Sequence, residues 1–140
     1  MSYEDRDTHG MYKNNNSENG PGPALMGADT LIGNGVHNHK GEDLGDIKEI
    51  MLDTKSGKVC YAVLSFGGFL SIGEKLFAVP WDALTLDTEH KCFVLNEEKD
   101  RLKAAPGFDK DNWPDMADAT WAKSIHSYYG TESNTNETRV

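Results

Sequence analysis

Basic residues are scarce in this chain. Fourteen lysines and arginines stand against 23 aspartates and glutamates, a formal net charge of −9. Such a surface repels phosphate backbones and offers no counterion-release drive toward nucleic acid, so direct DNA binding is not expected. Anionic membranes are disfavoured for the same reason. Long apolar runs are also missing. The longest, Val59–Leu64, is far too short to cross a bilayer, and no apolar stretch follows a positively charged N-terminal region. The reading is a protein without membrane insertion, located in the cytoplasm. Cysteine is limited to Cys60 and Cys92, each with apolar neighbours on an expected strand. They read as buried free thiols, since a reactive thiol needs an electropositive, exposed setting.

Recognisable chemistry is equally thin. Gly67-Gly68 has no phosphate-loop or dinucleotide-binding pattern around it. Asp109, Asp111 and Asp115 imitate the start of a calcium loop. Pro114, however, stands where that loop needs glycine, and Thr120 where it needs a bidentate glutamate. The serines lie in no nucleophile-elbow context, and the many carboxylates fall on turns and helix surfaces rather than in a shared recess. His37 and His39 are the closest histidine pair. On a strand they share a face, with Glu42 or Asp43 the nearest candidate third ligand, but zinc wants three or four protein ligands. An ordinary solvated loop is the expectation there. The chain reads as a non-enzyme with no catalytic residue, no cofactor and no dedicated metal site.

What is present is a dense series of short strands. Leu31–Val36, Asp46–Asp53, Lys58–Phe66, Leu76–Trp81 and Lys91–Leu95 alternate with glycine-bearing turns, and Leu84 and Leu86 mark a further short segment. That spacing predicts a mostly β domain, a small curved sheet or barrel. The apolar positions of the second strand slip at Lys48-Glu49, as an inserted bulge residue would cause. Asp53–Gly57 reads as a hairpin connection closing on a left-handed glycine. Lys58–Phe66 is apolar on both faces and must be covered twice, by the barrel interior and by a helix or a second subunit outside. Residues 1–24 and 130–140, rich in Asn, Ser, Gly and Glu, read as disordered tails.

Between them, residues 25–96 read as the barrel and 97–129 as a helical extension packed on it. That leaves about 105 residues for folding, a size at which self-association is a useful supplement. Asn96 is placed to cap a short helix around Leu102, with Pro106-Gly107 as its stop. A second helix, capped by Asn112 or Asp115, runs to Tyr128 with Ala117, Trp121, Ile125 and Tyr128 as its packing stripe, and Gly130 ends it. Trp121 is the largest apolar group on that stripe. Trp113 and Trp121 read as clamps holding the extension on the barrel. Phe66, Phe69, Leu70, Ile72, Phe77 and Trp81 read as a possible interface, because the loop they flank is unusually apolar and aromatics carry much binding energy.

The segments Leu31-Ile32-Gly33, Glu42–Ile50, Leu52-Asp53, Val59–Gly68 and Lys75–Trp81, in that order, resemble the PRC-barrel domain. That small β-barrel is named after the cytoplasmic part of the photosynthetic reaction centre H subunit. The tail from Phe93 through Phe108 and Asp115–Gly130 is similar to the extension of stand-alone bacterial members. The resemblance implies a PRC-type barrel of about six strands with a C-terminal helical extension, often paired into dimers. It further implies an interaction or assembly module without catalytic residues. The leading expectation is therefore a non-enzymatic module, homodimeric, with an unidentified protein partner. A ribosome or RNA-processing accessory factor acting through protein contacts is the alternative, since a related barrel serves one such factor. A small-ligand barrel comes third, because an interior of this size is filled by side chains.

Overall fold

The computed structural model describes residues 25–67, 74–87 and 90–131. Most of the two expected tails, and the loop carrying Phe69, Leu70 and Ile72, lie outside the described residues. The chain opens with a single helical turn, α1 (Ala28–Leu31), and enters the sheet at β1 (Gly35–His37). There follow β2 (Asp43–Leu52), β3 (Val59–Gly67), β4 (Glu74–Pro80), a 3₁₀ turn (Trp81–Ala83), β5 (Leu84–Asp87) and β6 (Cys92–Leu95). Two helices close the fold, α2 (Lys99–Lys103) and α3 (Ala119–Tyr129). The six strands form one curled sheet in the order β4-β3-β2-β1-β6-β5. Every pairing is antiparallel except β1 with β6, which is parallel.

The strand expected at Leu31–Val36 is shorter and later. Gly33 takes φ +95°, a conformation that suits glycine and breaks an extended run. Its N–H donates to the Ile47 carbonyl at 2.6 Å, so the chain turns before β1 begins. The bulge in β2 is real. The β2–β3 register shifts between Ile47 and Glu49, returning Ile47 and Ile50 to the buried side. Gly57 sits at φ +79° and closes the hairpin through its N–H to the Asp53 carbonyl, 2.7 Å. Gly45 is constrained more severely, because a Cβ there would lie 2.2 Å from the Ser65 carbonyl oxygen. That close backbone approach needs a residue without a side chain.

The core is a continuous cluster including Leu44, Ile47, Leu64, Phe77, Val79, Leu95, Leu102 and Ile125. It spans sheet and helices alike. The second cover that β3 requires is a helix: Tyr61 meets Trp121 of α3 edge-on at 5.3 Å between ring centroids. The extension meets the free edge of β4 at one position. Leu76 and Phe108 exchange both backbone hydrogen bonds at 2.8 Å.

The helix ends differ from expectation. Asp118 caps α3, its carboxylate accepting from the Trp121 N–H at 3.3 Å, while Asp115 instead accepts from the Ala117 N–H in the preceding turn. Helix α2 starts after Glu98 rather than Asn96. With the start at Ala119, the buried face of α3 is Ala122, Ile125, His126 and Tyr129. Ala117 falls outside the helix, and Trp121 and Tyr128 flank the buried face. Gly130 ends α3 as expected, at φ +73°.

Candidate functional site

The β2–β3 hairpin and the stretch leading into α3 do not close on each other. An open groove of about 840 Å³ lies between them. Its walls are built from two stretches far apart in sequence: Met51, Leu52 and Tyr61 from the hairpin, Trp113, Met116 and His126 from the extension. Leu52 and Trp113 are 48% and 40% exposed, large apolar side chains left open to solvent within one groove. Met51 and Met116 are half-buried against the core and also line the groove. Two methionines beside an aromatic make an adaptable apolar surface.

Trp113 is held rather than loose. Its Nε1–H donates to the Lys110 carbonyl at 3.0 Å, and its ring packs 5.0 Å from Phe108. The two tryptophans therefore have different work. Trp121 clamps the extension through Tyr61, while Trp113 stands half open in the groove. Cys60 also lines the groove, but burial and the Asp53 carboxylate push its thiol up, so it is a poor nucleophile. Burial, with a lesser contribution from Cys60, pushes the Tyr61 phenol up to about 12. His126 is buried beside Tyr61, with its Nδ1 2.7 Å from the Thr131 hydroxyl, and burial pulls its pKa down. None of these groups is poised for proton transfer near neutrality.

Of the six side chains expected at an interface, Phe66 and Phe77 are buried in this chain's own core, 6.3 Å apart. Trp81 is half-buried, its ring tilted against that of Phe93 at 5.7 Å. Phe69, Leu70 and Ile72 are outside the described residues. The groove was not legible in sequence, because its walls lie more than 50 residues apart and neither carries a motif.

The turn after β1 also departs from the expected solvated loop. His37 ends β1, and the chain turns at once, so His37 and exposed His39 do not share a strand face. Asn38 is buried and fully used. Its Oδ1 accepts from the N–H groups of Lys40 and Glu42, and its Nδ2 donates to Glu42 Oε1 and to the Glu97 carbonyl. Neither Glu42 nor Asp43 turns toward His37: Glu42 binds Asn38, and Asp43 accepts from the Gly45 N–H. His37 instead faces Asp87 and His90, from the end of β5 and the turn that follows. Sequence reasoning missed both residues.

A curled six-stranded mixed sheet covered by C-terminal helices defines a small barrel-type domain. The PRC-barrel domain matches residues 24–102, more than half of the chain, and the chain belongs to that family. A search of curated proteins found no match. PRC-barrel domains are generally protein-interaction modules and typically non-catalytic. No helix among the described residues is long and apolar enough to cross a membrane.

Proposed function

We propose that this protein is a non-enzymatic interaction module that works as a homodimer, with the groove between the β2–β3 hairpin and the α3 approach as its contact surface. One observation carries the reading. Leu52 and Trp113, both large and both open to solvent, line one groove together with Met51 and Met116. Apolar side chains gathered into one recess mark binding surfaces, where tryptophan and methionine are enriched. The occupant is a second copy. A two-fold interface must be self-complementary, and this groove carries both signs of charge, Asp53 and Asp115 with Lys55, around an apolar centre. Its projecting side chains and its hollow lie on the same patch.

The test is multi-angle light scattering on the tag-free chain, with Trp113→Ala and Lys55→Glu beside it. The expected result is a dimer at tens of micromolar that Trp113→Ala dissociates while the melting temperature stays near that of the parent. A concentration-independent monomer, or a dimer indifferent to both substitutions, overturns the reading.

A further inference from the structure

A second cluster lies away from the groove, where the sheet brings β1, β6 and β5 side by side. His37 stands opposite Val94 across the parallel β1–β6 pair, and Asp87 stands opposite Cys92 across β5–β6. Since Cys92 and Val94 are two residues apart, the pleat puts His37 and Asp87 on one face of the sheet. His90, in the turn between β5 and β6, completes a group whose ligand atoms all lie within 4.8 Å of one another.

The hydrogen bonding at His37 makes this group more than a cluster. Nδ1 lies 3.0 Å from the Asn38 carbonyl oxygen. A carbonyl can only accept, so Nδ1 carries a hydrogen, and in the neutral ring Nε2 is left with a lone pair. Nε2 is shut off from solvent, has no hydrogen-bond partner, and lies 3.4 Å from Asp87 Oδ2. The same oxygen is 2.9 Å from His90 Nδ1. A lone pair buried against a carboxylate is costly unless a positive species sits between them.

We propose that His37 Nε2, Asp87 and His90 form a binding site for a borderline divalent transition-metal ion of the zinc type. The donor set is two imidazoles and one carboxylate, which suits zinc rather than magnesium or calcium, whose sites are built from oxygen. The spacing agrees. Metal–ligand bonds near 2.1 Å in a tetrahedron put neighbouring ligand atoms roughly 3.4 Å apart. The His37–Asp87 separation already has that value, and the His90–Asp87 pair needs to open by about half an ångström to reach it. The Asn38 carbonyl on Nδ1–H is the outer partner that orients a ligating histidine. Three protein ligands leave one position for water. The consequence is structural: β5 has only β6 as a neighbour in the sheet, and the ion ties its end directly to β1.

The test uses the full chain, freed of any tag and stripped with a chelator. Zinc chloride is added in a calorimetric titration and in a thermal melt, with cobalt(II) as a spectroscopic substitute. One zinc per chain should bind and raise the melting temperature, and cobalt should give the visible absorption of a tetrahedral site. His37→Gln and His90→Gln should each weaken binding by about tenfold or more, whereas His39→Gln should not. Because His90 is exposed, His90→Gln leaves the fold intact and keeps the test decisive if His37→Gln folds poorly. Non-saturable binding, binding that survives His90→Gln, or a cluster that responds only to pH and not to zinc overturns the proposal. None of these outcomes bears on the dimer, which is read separately by light scattering.

Discussion

Asn38 sits in an environment that its sequence context does not announce. It sits in His37-Asn38-His39-Lys40-Gly41, a string that reads as a solvated turn, yet its four side-chain bonds organise the turn and tie it to the Glu97 carbonyl, 59 positions away. The link fixes where the extension leaves the sheet. Removing the amide strands two backbone N–H groups and a carbonyl at a partly buried site, each costly to leave unpaired. Asn38→Ala should therefore lower stability by about 1–3 kcal/mol, read as a shift in the urea midpoint. Exposed Lys40 makes a 2.7 Å bond to Glu98 beside it, but Lys40→Ala should change the midpoint little, since solvent screens exposed pairs and ordering two long side chains offsets their attraction. Equal effects from the two substitutions would show that the surface pair, rather than the amide, holds the junction.

At the scale of elements, what was legible followed from local rules. The periods of β2, β3 and β4 and the Asp53–Gly57 turn are set by residues adjacent in sequence. Even the bulge shows as a slipped period at Lys48-Glu49. What was not legible depended on long-range partners. The parallel β1–β6 pairing joins residues more than 50 positions apart, and it alone brings His37 near Asp87 and His90. Helix α3 is an intermediate case. Its existence and its glycine stop were readable, but moving the cap to Asp118 rotates the assignment of its faces, so that Ile125 is enclosed and Trp121 lies at the margin. The two positions should separate under truncation. Ile125→Ala should cost about 2–5 kcal/mol, the range for emptying an enclosed aliphatic site. Trp121→Ala, despite its larger side chain, should cost less, because half-buried neighbours and solvent fill part of the space. Chemical denaturation of both variants decides it. A larger loss at Trp121 would mean that the aromatic contact with Tyr61, rather than the enclosed face, holds the helix.

The whole molecule couples stability to its candidate surface through His126. This side chain lies on the buried face of α3, lines the groove and touches Tyr61. Burial lowers its pKa, and the Asp82 carboxylate opposes that shift more weakly. The Thr131 hydroxyl, 2.7 Å from Nδ1, is its hydrogen-bond partner. Near neutrality folded and unfolded chains both hold the ring uncharged, and the shift has no effect. As pH falls through 6.5, the ordinary value, the unfolded chain takes up a proton that the folded chain resists. Stability then drops with each step of acidification until the pH passes below the lowered value in the fold. Burial raises the Asp46 carboxyl, the Lys55 backbone N–H lowers that of Asp53, and burial pushes Cys60 and Tyr61 up. Lowering the pH from 7 to just below 6 should therefore reduce the melting temperature and, by loosening α3 against the hairpin, dissociate a dimer that uses the groove. His126→Asn should flatten both responses over that interval. A parent protein whose melting temperature is constant from pH 7 to below 6 would show that the ring meets protons as freely in the fold as out of it. Burial of His126 on α3 would then not be what links stability to the groove.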